Sequence, residues 1–130
     1  MRVSSAKAHR NIEASSQMQK TFKKYRLTDT VTMQMISFTD EMMSARFWFS
    51  GKGFDSTHHH VNQEINVVVA GEFEATRGGE KYKVYPGQAV VVPSDVEHNM
   101  ECLSGTGEMV SVWTPARQDF LKNYAEIESA

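Results

Sequence analysis

Residues Gly53 to Gly71 read GFDSTHHHVNQEINVVVAG, and this stretch decides how the chain is interpreted. Three consecutive histidines are followed four residues later by a carboxylate, and then by a β-branched run that ends at a glycine. In an extended strand successive side chains point to opposite faces. His58 and His60 therefore share a face, His59 points away from it, and Glu64 has the parity of the outer pair. Two imidazoles and a carboxylate converging on one side form a ligand set suited to a divalent metal. A further candidate ligand, His98, stands downstream in PSDVEHNMEC.

Outward from this stretch the chain is strand-like. Val31 to Thr39 and the aromatic-rich Ser44 to Ser50 precede it, the second ending at Gly51-Lys52-Gly53. Ile65 to Ala70 reads as a strand buried on both faces. Glu72 to Thr76 and Glu80 to Tyr85 flank Arg77-Gly78-Gly79, where a glycine pair supplies the positive φ values of a tight hairpin. Ala89 to Val92, His98 to Leu103 and Met109 to Thr114 follow, separated by turns at Pro86-Gly87, Pro93-Ser94-Asp95 and Ser104 to Gly107. Pro115 suits the first turn of a helix, which is predicted over Ala116 to Ile127. Many short strands with glycine turns predict an all-β sandwich or barrel.

At 130 residues the chain is long enough for one domain with its own core. The formal net charge of −2 argues against a dedicated nucleic-acid binder. Residues 1–26, however, hold seven Lys/Arg against the single acid Glu13. We therefore divide the chain into a basic, solvated N-terminal arm over 1–29, with a helix considered over Glu13 to Lys23, and a domain over 30–130. Cys102 is the only cysteine, which excludes an intrachain disulfide and suits a reducing compartment. With no apolar run of membrane-spanning length and no signal-peptide core, the expected location is the cytoplasm and no membrane partner is expected.

HHHVNQEINVVVAG resembles the first motif of the cupins, through His58, His60, Glu64 and Gly71. GQAVVVPSDVEH resembles the second, through Gly87, Pro93 and His98, with Asp95 at a place where that motif has glycine and Cys102 where it often has asparagine. The resemblance implies a single cupin jelly-roll β-barrel over about Thr30 to Pro115, usually paired into a homodimer. It also implies one divalent metal per subunit (iron, manganese, nickel, cobalt or zinc) held by His58, His60, Glu64 and His98. Ser111 to Phe120, SVWTPARQDF, is similar to the tail of the KdgF group of small bacterial cupins, which act on 4,5-unsaturated monouronates from pectin. That tail carries an aromatic at Trp113 and an arginine at Arg117. Two positions depart from the group: Ser111 replaces its carboxylate, and Glu64 stands where it tends to place glutamine.

The remaining groups suit a small oxygenated anion as substrate. Arg117 offers a planar fork for a carboxylate, or else makes a salt bridge near the helix start. Trp113 either packs against a flat substrate or fills the barrel. Arg46 and Trp48 share the parity of His58 and are expected at the same cavity, with Gln34, Gln63 and Tyr85 as weaker candidates. His59 is expected to be structural or solvent-facing, and Cys102 a small buried apolar group. The expected function is a metal-dependent isomerase, tautomerase or lyase acting on a small carboxylated or sugar-derived molecule, with Arg117, Trp113 and Ser111 as its substrate-side residues. The alternatives are a non-haem iron dioxygenase and a non-catalytic small-molecule binding protein.

Overall fold

The structure is a computed structural model and describes residues 17–18 and 20–128. Among the described residues the strands are β1 (Lys24–Thr28), β2 (Val31–Phe38), β3 (Met43–Phe49), β4 (Gln63–Ala70), β5 (Phe73–Arg77), β6 (Glu80–Val84), β7 (Ala89–Val92), β8 (His98–Cys102) and β9 (Gly107–Thr114), followed by a short helix α1 (Gln118–Asn123). All named pairings are antiparallel. They form a six-stranded sheet in the order β1-β2-β3-β9-β4-β7 and a three-stranded sheet in the order β6-β5-β8. This is the all-β architecture that the pattern of short strands and glycine turns predicts, in the jelly-roll form that the cupin resemblance implies.

The core lies between the two sheets. β2 and β3 send every second side chain inward, Val31, Met33 and Met35 from one and Met43, Ala45, Phe47 and Phe49 from the other. The three-stranded sheet answers with Phe73, Ala75, Val84, Met100 and Cys102. Phe49 meets Phe73 edge-to-face across the gap, with ring centroids 5.0 Å apart, a favoured geometry for an aromatic pair. Cys102 is buried as a small apolar group would be.

Four local readings change. Ile65 to Ala70 is not buried on both faces: in β4 the residues Glu64, Asn66 and Val68 point inward, while Ile65 and Val69 are exposed. The unbroken apolar run comes from an outer face that is itself apolar. The helix is six residues long and begins at Gln118, after a cis Thr114–Pro115 bond. In the β5–β6 hairpin only Gly78 takes a positive φ, +62°; the same sign at the first central residue marks a type II′ turn. Finally, the basic arm up to residue 16, and residues 13–16 and 19 of the helix considered over 13–23, lie outside the described residues, but the end of the arm joins the sheet. Phe22 is buried and bridges Ile127, Lys23 pairs with Glu126 at 3.0 Å, and β1 pairs with β2.

Candidate metal centre

The segment between β3 and β4 runs along the free edge of β8. Gly53 bridges Glu101, and His58 bridges His98 through a reciprocal backbone pair, His58 N to His98 O at 3.0 Å and His98 N to His58 O at 2.9 Å. His58 and His60 thus stand on extended but irregular backbone rather than in a strand of their own. Asp95 adopts φ +62°, the conformation for which glycine is usual, and its N–H donates to His60 O at 2.8 Å. The turn before β8 therefore clamps the histidine segment. His59 faces outward beside Asp95, 3.8 Å away.

The ring nitrogens of His58, His60 and His98 that face inward all lie within 4.8 Å of one another, so three histidines are positioned to bind one metal ion. Exposure is graded across them, from exposed His58 through half-buried His60 to buried His98. Glu64 points into the same space: its Oε1 is 3.0 Å from His60 Nε2 and 3.2 Å from His98 Nε2. The structure thus brings together all four residues singled out from the sequence.

The donor set fits a cation for a chemical reason. His60 Nδ1 faces Asn62 O and His98 Nδ1 faces Val96 O, both at 2.9 Å. A carbonyl only accepts, so each Nδ1 carries the ring proton. In the neutral rings Nε2 is then a bare acceptor, and it confronts a carboxylate oxygen that is also only an acceptor. A positive charge among these atoms, a proton or a metal ion, resolves the conflict. The electrostatics follow the same lines. Burial works against a charged His98, but the hydrogen bond and charge of Glu64 outweigh it and raise its pKa. Burial likewise disfavours the Glu64 carboxylate, yet hydrogen bonds from His60, His98 and Asn66 hold its pKa well below the usual range. His58 is exposed as a residue, but the desolvation of its ring among these neighbours and the proximity of His98 push its pKa down to about 4, so it stays neutral near pH 7.

Cross-strand register places the rest. Along β4 and β9, Glu64 is opposite Trp113, Asn66 opposite Ser111 and Val68 opposite Met109, all on the inner face. Trp113 Nε1 donates to Glu64 Oε1 at 2.6 Å, and its ring packs edge-on against Phe47. Ser111 is fully buried and its hydroxyl donates to Asn66 Oδ1 at 2.5 Å, while Asn66 Nδ2 donates to Glu64 Oε2 at 2.7 Å. Arg117 sits with its guanidinium 3.9 Å from the centroid of the Phe120 ring and is held by Asp119 at 2.8 Å. His58, Glu64, His98, Ser111, Trp113 and Arg117 all line one cavity of about 350 Å³.

Some candidates lie elsewhere. Arg46 and Trp48 are on the outer face of β3, Arg46 paired with Glu108 at 3.4 Å and Trp48 under Lys24. Parity counted from His58 fails for them because the irregular segment between β3 and β4 resets the alternation. Gln34 donates to the Phe22 carbonyl, and neither Gln63 nor Tyr85 is buried. Sequence reasoning missed Asn66. Its signal was present, a lone polar residue with the parity of Glu64 inside an apolar run.

Comparison with known proteins agrees with this architecture. The family model for the cupin domain matches residues 49–115, from the end of β3 through Pro115. The pectin degradation protein KdgF of Dickeya dadantii is 27% identical over 96 residues, spanning 73% of this chain and 87% of that protein. Among solved structures, an RmlC-like cupin from Shewanella frigidimarina matches with a TM-score of 0.72 and 27% identity over 76% of this chain and 88% of its own. KdgF from a Halomonas species matches with a TM-score of 0.72 and 24% identity, over 75% of this chain and 90% of its own. The matched segment contains both histidine-bearing stretches and most of the barrel that joins them, and the chain belongs to the cupin family.

Proposed function

We propose that the protein is a metal-dependent isomerase, tautomerase or lyase acting on a small carboxylated or sugar-derived molecule in the cytoplasm. The observation that carries this reading is the pair of Nε2 atoms, from His60 and His98, set around Glu64 Oε1 at the wall of a cavity that also holds Arg117. His58, His60, Glu64 and His98 would hold the ion, one per subunit. When bound there, a divalent metal would supply Lewis acidity toward a carbonyl or hydroxyl oxygen and so ease enolisation. Asp119 occupies the Nε and Nη2 edge of Arg117, which leaves its Nη1 side to receive a substrate carboxylate. Trp113 and Phe120 close the cavity beside it and limit the access of water. Ser111 is not the proton carrier, because its hydroxyl proton is engaged by Asn66. Glu64 is the one carboxylate among the described residues that line the cavity, and a carboxylate held so far below its ordinary pKa is a weak base.

The likeness to a pectin degradation protein makes unsaturated uronates the first compounds to try, with slow turnover expected because no carboxylate other than Glu64 faces the cavity among the described residues. Metal analysis of the purified protein is the direct test: stoichiometric divalent metal is expected in wild type and none in the His58→Ala/His60→Ala double variant. Full occupancy in that variant would refute the assignment. Three histidines with a carboxylate also suit non-haem iron and dioxygen. Oxygen consumption by the iron-loaded protein would favour that second reading. Two copies of the chain pair into a homodimer in this proposal.

A further inference from the structure

Asn66 is 1% exposed, and its amide group touches both Glu64 Oε2 and Ser111 Oγ. An ionised carboxylate only accepts, so the amide must turn its NH₂ toward Glu64, and its oxygen then faces Ser111. That orientation follows from chemistry whichever way the amide atoms are assigned. The serine hydroxyl must therefore donate. At the other oxygen Trp113 Nε1, a donor with no acceptor capacity, closes the arrangement at 2.6 Å. Every hydrogen bond in the chain Ser111, Asn66, Glu64 points the same way.

We propose that Ser111 is a positioning residue, not a catalytic one: through Asn66 it orients the Glu64 side chain toward the histidines, so that positions 64 and 111 are coupled by hydrogen-bond direction. The coupling is specific. With an acceptor-only side chain at position 111, Asn66 would meet acceptors on both sides and could satisfy only one. With a carboxamide at position 64 the chain can reverse, because a hydroxyl both donates and accepts: the new NH₂ donates to Asn66, which turns its own NH₂ to Ser111. With both changes together each acceptor again meets a donor. Space is available at position 111, since Ala45 is opposite it on β3 and Ser111 lines the cavity.

A double-mutant cycle on the metal-free protein tests this. Ser111→Asp is expected to lower Tm by roughly 5–10 °C, the cost of a buried polar pair left unsatisfied. Glu64→Gln should itself lower Tm, because the charged contacts with His60 and His98 are lost, and Glu64→Gln combined with Ser111→Asp should cost clearly less than the sum of the two single losses. Additive effects, or a Ser111→Asp variant as stable as wild type, would overturn the coupling. If Ser111→Asp yields no folded protein, recovery of folded protein in the double variant is the supporting result, and its absence the contrary one. A second arm reads the metal. Ser111→Ala should weaken binding of cobalt(II), followed by its visible spectrum, by roughly 10- to 100-fold, and Ser111→Thr should restore it. Equal affinity in Ser111→Ala and wild type would show that Ser111 has no positioning role. Only this arm rests on the proposed function. The stability cycle stands on the hydrogen bonds alone, so the two can fail separately.

Discussion

At the scale of the residue, His58 and His98 are two imidazoles with ring centroids 4.3 Å apart and opposite tendencies. Glu64 favours the charged form of His98, while desolvation and the proximity of that same ring favour a neutral His58. Their effects on stability therefore have opposite signs. For His98 the raised pKa gives stability that is present in acid and lost as pH rises through its folded value. For His58 the folded value of about 4 lies below the unfolded value near 6.5, so the unfolded chain takes up the proton first. Stability contributed by neutral His58 is complete above about pH 6.5 and is lost as pH falls toward 4. The metal-free protein should consequently show a Tm difference between wild type and His58→Ala that is flat above pH 7 and shifts against wild type between pH 6.5 and 4. Thermal scans across that range measure it, and a difference independent of pH would contradict the assignment of His58 as a neutral ring.

At the scale of the element, the pairing of β4 with β9 sets the site, because it places Glu64 against Trp113 and Asn66 against Ser111. What ends β4 is therefore consequential. Gly71 turns the chain at φ +85°, and a Cβ there would lie 2.6 Å from Thr106 O and 2.9 Å from Gly107 Cα. Gly71→Ala combines backbone strain with a clash against backbone that cannot swing aside, and should cost about 2–4 kcal/mol in urea unfolding. A loss under about 1 kcal/mol would mean that the turn relaxes freely. Alternation made much of this legible in advance: His58, His60 and Glu64 on one side, Ser111 and Trp113 on one face of β9. It failed where parity had to be carried through irregular backbone, as from His58 back to Arg46 and Trp48. It also misjudged β4, because composition cannot separate a buried apolar face from an exposed one. β1 escaped notice because its sequence, KYRLT, is largely polar and its place is fixed by pairing with β2. Asn66 escaped because its role depends on two partners, one of them 45 residues away in sequence.

At the scale of the whole molecule, most of the apolar side chains of Ala45 to Phe49 are turned inward, since Ala45, Phe47 and Phe49 fill the barrel and Trp48 is half-buried under Lys24. The exposed apolar face lies elsewhere on the six-stranded sheet, where Ile65, Val69 and Val91 are 40%, 46% and 48% exposed and Ile65 stands directly opposite Val91. A self-complementary contact there would cover them. Light scattering should give twice the 14.7 kDa chain mass, and Ile65→Lys/Val91→Lys should halve it; a wild-type monomer at micromolar concentration would rule the homodimer out. The metal centre has its own bearing on the whole. Glu64 belongs to the six-stranded sheet and His98 to the three-stranded one, so their 3.2 Å contact is a clasp between the two layers, made by residues 34 apart in sequence. β8 cannot peel from the barrel until that clasp opens. An ion seated there is lost in the opened form, and openings become rarer by the factor 1 + [L]/Kd. The backbone amides of β5 and β8 then exchange their hydrogens with solvent at a pace set by free metal concentration, and the three-stranded sheet becomes a gauge of how full the site is.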